Sequence, residues 1–198
     1  MSEKPQLIVA TRNAHKTAEI RAKIGGRYHV TDATDYPDLP EVEETGTTFL
    51  ENATLKAEAV SRLVAGLVVS DDSGLEVDAL GGAPGVWSSS FGGVEGDHAR
   101  NNERLLRDLA GVADRRARFR CTMVVARDGR RLADFSGTVE GRIVGALQGA
   151  GGFGYDPLFV PDGHEETFAE LGMEVKNQLS HRARALELVV SWLAGGQD

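Results

Sequence analysis

Asp71 and Asp72 follow directly on the apolar run "GLVVS" and lead into Ser73 and Gly74. Two readings are open for such a pair. Asp, Ser and Gly form turns, and a strand could simply run out there. Alternatively, the carboxyl end of a strand is where open α/β sheets place their ligands, and a carboxylate there can hold a metal or act as a general base. While a strand persists, neighbouring side chains point to opposite faces. Only one of the two aspartates then serves a given cleft.

Other residues extend the inventory. "TRNAHK", residues 11–16, lies between a predicted strand and a predicted helix. Unpaired N–H groups at a helix start favour anions. Asn13 can donate from its amide and Lys16 adds a positive charge, which together suit a phosphate cradle. The spacing of a Walker A loop is absent, and an ordinary polar loop capped by Asn13 is the alternative. "KNQLSHRARA" gathers Lys176, His181 and Arg182 around another helix start. Cations there oppose the macrodipole, and a local rule broken without compensation points toward function. Solvated cations behind a capping Ser180 are the alternative. "GGFGYDP" sets Phe153 and Tyr155 among glycines, where exposed rings would suit stacking on a planar base. Burial of Phe153 in the core is the alternative. Glu43 and Glu44 are candidate partners for a metal held by Asp72, unless the acidic loop is merely solvated. No G-x-S-x-G elbow, C-x-x-C or H-E-x-x-H motif occurs. Hard carboxylates with water suit Mg²⁺. The parts describe a nucleoside-phosphate hydrolase with a metal-activated water.

The elements that must position these groups can be read from periodicity. A short buried strand is expected over residues 7–10, a helix over 14–24 stopped by Gly25 and Gly26, and a second strand at "YHVTDA". Thr48 and Glu51 have capping-box spacing, and Leu50, Ala53, Ala57, Val60 and Val64 recur at helical intervals, predicting a helix over 49–64. Another helix is expected over 99–109. Asp128-Gly129 between two apolar runs predicts a hairpin, with Phe119, Cys121, Met123 and Val125 on one face. A closing helix over 181–193 would start at Ser180 and stop at Gly195 and Gly196. Strands alternating with helices, followed by a hairpin, predict an α/β domain with a mixed sheet.

Bulk properties bound the answer. The 198 residues suffice for one substantial domain or two small lobes sharing a sheet, and 41% hydrophobic content predicts a real core. The single cysteine, Cys121, excludes an internal disulfide and suits a reducing compartment. The start "MSEKPQLIVATRN" does not read as a secretory signal, and no apolar run approaches the roughly 20 residues of a membrane span. A cytoplasmic protein without a membrane partner is the expectation. A net charge of −8 weighs against a general nucleic-acid binder.

"TRNAHK", "EETGTTFLENA", "SDDSGLEVDALGGAPGV", "GGFGYDPLF" and "KNQLSHRARAL" stand in the order and rough spacing of the inosine/xanthosine triphosphate pyrophosphatases, also called dITP/XTP pyrophosphatases. The chain resembles that family over nearly its whole length. The resemblance implies one domain over residues 1–198, built on an elongated mixed β-sheet flanked by helices, with two lobes around a central cleft. It implies a homodimer that uses Mg²⁺ to hydrolyse ITP, dITP and XTP to the monophosphate plus pyrophosphate. It makes Asp72 the proton acceptor and a metal ligand, and Glu44 a second carboxylate near the metal. Ser73 would touch substrate, with Asp71 in support. Thr11, Arg12, Asn13, Ala14, His15 and Lys16 would hold phosphates. Phe153, Gly154, Tyr155, Asp156, Lys176, His181 and Arg182 would hold the base and its neighbourhood. One departure stands out: Ser90, in "WSSSF", occupies the place of a family arginine, and the basic stretch 115–120 is the candidate source of a replacement. Two other readings compete. Maf-like nucleotide pyrophosphatases prefer other bases, and the "SHR" and "FGYD" motifs argue against them. A non-catalytic purine-nucleotide-binding module is disfavoured by Asp72, Glu44 and Lys16.

Overall fold

The structure, a computed structural model, describes residues 4–195. Gly196, expected to help end the last helix, lies outside them. In chain order the elements are β1 (Gln6–Val9), α1 (Ala14–Ile24), β2 (His29–Asp32), α2 (Phe49–Ser61), β3 (Leu67–Val77), α3 (His98–Asp108), β4 (Arg116–Arg127), β5 (Arg130–Ile143), β6 (Phe159–Pro161), α4 (Phe168–Leu179) and α5 (His181–Ala194). The six strands form a sheet in the order β2-β1-β3-β4-β5-β6. It is mixed, because β1 pairs in parallel with β2 and β3 while β5 and β6 pair antiparallel. No helix among the described residues is long and apolar enough to cross a membrane.

The chain divides into two compact units. The first comprises the residues up to Asp72, Thr122–Ser136, and those from Ala185 on. Here β1 sets Leu7 against Val30 of β2 and Leu67 of β3. Ile8, Ala10, Ala33, Leu39, Val60 and Val68 form one core cluster. A second packs Ala53 and Ala57 of α2 against Val124 and Ala126 of β4. Small side chains on the facing side let the helix come close to the strand. The expected capping box is present in both directions, Thr48 accepting from the Glu51 amide and Glu51 accepting from the Thr48 amide. α2 ends at Ser61, three residues earlier than its apolar spacing predicts. The hairpin tip has Asp128 at φ 52° and Gly129 at φ 73°, the left-handed pair of a type I′ turn. The Gly129 amide donates to Ser61 Oγ at 3.0 Å, tying that tip to the end of α2.

The second unit comprises Ser73–Cys121 and Gly137–Arg184. Its core joins Leu75, Val77, Leu105, Leu109, Phe119, Ile143, Tyr155, Leu158, Phe159 and Phe168. The Phe119 and Phe159 rings lie 4.7 Å apart, and Phe159 stacks on Phe168 at 5.4 Å.

Two expectations change. β3 does not stop at the aspartates but continues to Val77, so Asp71 and Asp72 are true strand residues. On β4 the predicted face of Phe119, Cys121, Met123 and Val125 is buried, yet so are Thr122, Val124 and Ala126. Both faces of that stretch are covered, which an alternation reading cannot show.

Candidate active site

In the first unit, β3 sends its two carboxylates to different partners, as alternation requires. Asp71 is buried and forms an ion pair with Lys16 of α1 at 3.1 Å. Asp72 is also buried, and its Oδ2 accepts from Asn52 Nδ2 at 3.1 Å. The Lys56 ammonium donates to Glu44 Oε2 at 2.9 Å and lies 4.0 Å from Asp72 Oδ1. Asn52 and Lys56 are one helical turn apart on α2, so one face of that helix supplies both contacts.

The electrostatics follow from this placement. Burial raises the Asp72 carboxyl above the usual aspartate range, and Glu44 raises it further, against the lowering pull of Lys56, Lys16 and the Asn52 hydrogen bond. Burial alone would lower Lys56, but Asp72, Asp71 and Glu44 together raise it. Lys56 therefore stays an ammonium, while Asp72 is a more basic carboxylate than an exposed one. That suits a proton acceptor.

Glu44 and Asp72 offer hard oxygen donors on either side of a position that already attracts one cation, the Lys56 ammonium. This donor set fits Mg²⁺, which takes one or two carboxylates and completes its shell with water and phosphate oxygens. No group of three or more His, Cys, Asp or Glu that could hold a metal ion occurs among the described residues. Glu43 is exposed.

The 11–16 segment is tightly organised. Asn13 is the N-cap of α1, its Oδ1 accepting from the His15 and Lys16 amides at 3.0 and 3.4 Å. Thr11 Oγ1 accepts from the Asn13 amide at 3.1 Å. Ala14 and His15 sit exposed in the first turn. Arg12 differs from a phosphate-facing expectation: its guanidinium donates to the Ala33 and Leu39 carbonyls at 3.2 and 2.8 Å, bracing the loop after β2.

In the second unit the residues of "GGFGYDP" and "KNQLSHR" meet. Lys176 and Asp156 form a buried ion pair at 2.6 Å. The Asp156 Oδ2 also accepts from the Phe153 amide at 2.8 Å, and the Lys176 ammonium lies 4.1 Å from the Phe153 ring centre. A Cβ at Gly152 would collide with the Asp156 carboxylate, and φ there is +71°. Glycine is what lets the loop fold over its own acid. His181 stacks on Phe119 at 4.9 Å with an interplanar angle of 14°. Arg182 is buried and donates to Ser73 Oγ at 3.0 Å.

Three details correct the sequence reading. Tyr155 is not an exposed stacking ring: it is 4% exposed, packs in the core, and donates its hydroxyl to the Ser88 carbonyl at 2.8 Å. Lys176 does not belong to the start of α5. It sits in the last turn of α4, where a cation agrees with the helix dipole, and Ser180 caps α5 by accepting from the Ala183 amide at 3.2 Å. The stretch 115–120 is already engaged. Arg115 donates to the Leu109, Ile143 and Val144 carbonyls, Arg116 pairs with Asp114, Arg118 with Asp78 and Glu140, and Arg120 with Glu76. These guanidinium groups brace the second unit instead of replacing an arginine at Ser90. Sequence reasoning also passed over Asn52 and Lys56, although polar residues four apart beside Ala53 and Ala57 on an inward helix face were a usable signal.

Comparison with known proteins bears on the chain as a whole. Residues 7–192 match the model of the Ham1 family. The dITP/XTP pyrophosphatase of Listeria innocua is 48% identical over 193 residues, covering 96% of this chain and 95% of that one. The Staphylococcus aureus Ham1 protein superposes with a TM-score of 0.89 at 38% identity, over 97% of this chain and all of its own. A Mycobacterium abscessus nucleoside-triphosphatase, a dITP/XTP pyrophosphatase, superposes with a TM-score of 0.77 at 38% identity, over 93% of this chain and 98% of that one.

Proposed function

We propose a function from one premise: the chain belongs to the Ham1 family. The protein is a nucleoside triphosphate pyrophosphatase that hydrolyses the deaminated purine nucleotides ITP, dITP and XTP to the monophosphate and pyrophosphate. The observation that carries this reading is Asp72, a buried carboxylate of raised basicity held by Asn52 and flanked by Lys56 and Glu44.

Asp72 accepts the proton of the attacking water, whose oxygen bonds to the α-phosphorus as the bond to the bridging oxygen breaks and pyrophosphate leaves. Lys56 and Lys16 counter negative charge on the phosphates. Asn52 holds the Asp72 carboxylate in one orientation, so that a lone pair is aimed without reorganisation. Glu44 and Asp72 would hold Mg²⁺, which when bound polarises the phosphate and lowers the pKa of water. Asp71 acts through Lys16, restraining its ammonium for the 11–16 phosphate segment.

His181 and Arg182, with the Phe153–Asp156 loop and Lys176, read the base. Inosine and xanthine carry a C6 oxygen that accepts, adenine an amino group that donates, and arginine only donates. Setting donor against donor rejects adenine. Guanine also carries the C6 oxygen, so its rejection arises at C2. A homodimer in the cytoplasm is part of the same reading: the resemblance supports the dimer, and a single cysteine suits a reducing compartment.

The test is a panel of ITP, dITP, XTP, ATP and GTP with Mg²⁺, the products separated so that pyrophosphate and orthophosphate are distinguished. Pyrophosphate from the first three in preference to ATP is expected. Orthophosphate as the primary product, or bound ITP that stays intact, would overturn the reading.

A further inference from the structure

α3 carries none of the residues assigned above to chemistry, yet its first half is tied to two loops of its own unit. Asn101 Oδ1 accepts from the Gly92 amide at 2.5 Å, and its Nδ2 donates to the Ser89 carbonyl at 2.9 Å. The next residue, Asn102, donates from Nδ2 to the Gly154 carbonyl at 3.0 Å. The Tyr155 hydroxyl closes the set by donating to the Ser88 carbonyl at 2.8 Å. Loop 88–92 and loop 153–156 are thus held by consecutive asparagines on one helix and by each other. At the start of the same helix, the His98 ring lies 6.4 Å from that of Phe153.

Gly154 has φ +63°, the left-handed region, and nothing lies within 4 Å of where a Cβ would stand. Its carbonyl is fixed from outside, by Asn102. Asn102 is itself 6% exposed, and its Oδ1 is buried with no hydrogen-bond partner among the described residues. Buried polar atoms are almost always paired, so a buried amide that uses its donor and leaves its acceptor unused is poorly chosen for stability alone. It is well chosen if the donor to Gly154 is what matters.

We propose that Asn102 is a positioning residue for base recognition, acting through the Gly154 carbonyl to fix how Phe153 and Asp156 are presented. The inference rests on the base-reading role given above to the 153–156 loop. Loss of the tether loosens that loop and leaves the carboxylate–lysine cluster of the first unit intact. Its effect falls on KM and on the choice of base, with the chemical step spared.

Asn102→Leu tests this, because leucine is close in size and removes both the tether and the unpaired acceptor. The Gly154 carbonyl loses its partner at the same time, a cost that the thermal midpoint registers separately from the kinetics. Steady-state kinetics with ITP and ATP, together with the thermal midpoint, are compared with wild type. Misplacement of a binding loop should raise KM for ITP by at least about 10-fold. A kcat within about threefold of wild type and a fall in the ITP:ATP ratio of kcat/KM would mark lost binding without lost chemistry. If the leucine variant does not fold, Asn102→Ser, which keeps a polar helix face but is too short to span to Gly154, takes its place. A folded variant with unchanged KM and unchanged ratio overturns the inference, and so does a kcat loss equal for both nucleotides. If wild type itself shows no preference for ITP, the base-reading assignment fails first, which separates the two failures.

Discussion

The residues assigned to phosphate chemistry and those assigned to base reading are organised by different physics. In the first unit Asp71, Asp72 and Glu44 are balanced by Lys16 and Lys56, and contacts range from a 2.9 Å hydrogen bond to a 4.0 Å ion pair. In the second unit, the loop 153–156 is locked by short directed bonds: Asp156 to Lys176 and to the Phe153 amide, Asn102 to Gly154, Tyr155 to Ser88. Ammonium groups shared among several carboxylates can be repartnered by an incoming polyanion, whereas a donor–acceptor pattern must be rigid to tell one base edge from another. The contrast predicts that damage to the first unit costs rate with every nucleotide, and damage to the second costs discrimination.

The largest effect should come from Asp72→Asn. The amide keeps the shape and the Asn52 neighbourhood but cannot accept the proton, so kcat should fall about 10²–10⁴-fold with nucleotide still bound. Asp71→Asn should cost less, since it releases Lys16 but leaves the proton acceptor in place, and it should act through KM. The reverse order, read from kcat and KM of the two variants, would mean that the other face of β3 carries the chemistry.

A smaller and more selective effect is expected from Arg182→Ala. It should reduce kcat/KM for ITP far more than for ATP, because each mispaired buried donor is worth about 1–3 kcal/mol. Lys16→Ala should instead weaken ITP, XTP and ATP alike. Equal ITP:ATP ratios in wild type and Arg182→Ala would assign Arg182 to phosphate or to the Ser73 contact alone.

Much of this contrast was legible in the sequence, and the rest was not for definite reasons. Capping boxes are local, and Thr48–Glu51 announced α2 correctly. The same spacing at Thr167 and Glu170 opens α4, which went unpredicted because Gly172, at φ 80°, interrupts its periodicity. The aspartate pair reads locally as a turn. β3 continues through it because Lys16 and Asn52 meet the carboxylates. Tyr155 looked exposed because it follows a glycine-rich run. Its burial depends on Ser88, 67 residues away, and no local pattern encodes that. Asn102 is invisible for the same reason, its partner lying 52 residues along the chain.

The smallest effect is spectroscopic. Burial pushes the Tyr155 hydroxyl well above the usual tyrosine range. A group raised on folding adds stability fully below its unfolded pKa, about 10 for tyrosine. That stability is lost progressively as pH climbs from there through the higher folded value. The bond to Ser88 should therefore persist through the whole working range. Tyr155→Phe should remove no amplitude from the tyrosinate absorbance step near pH about 10 in the folded protein. A lost share of that step would show the ring open to water and the lock on the second unit weaker than drawn.

The single cysteine gives the fold a built-in clock. Cys121 lies on β4, fully buried, on a stretch covered on both faces. A thiol reagent reaches it only when that strand comes away from its neighbours, so its labelling rate counts openings of the centre of the sheet and ignores fraying at the surface. A cysteine added at an exposed position reacts without that delay. One sample then carries a fast label for handling and a slow one that reports how often β4 comes away from its neighbouring strands.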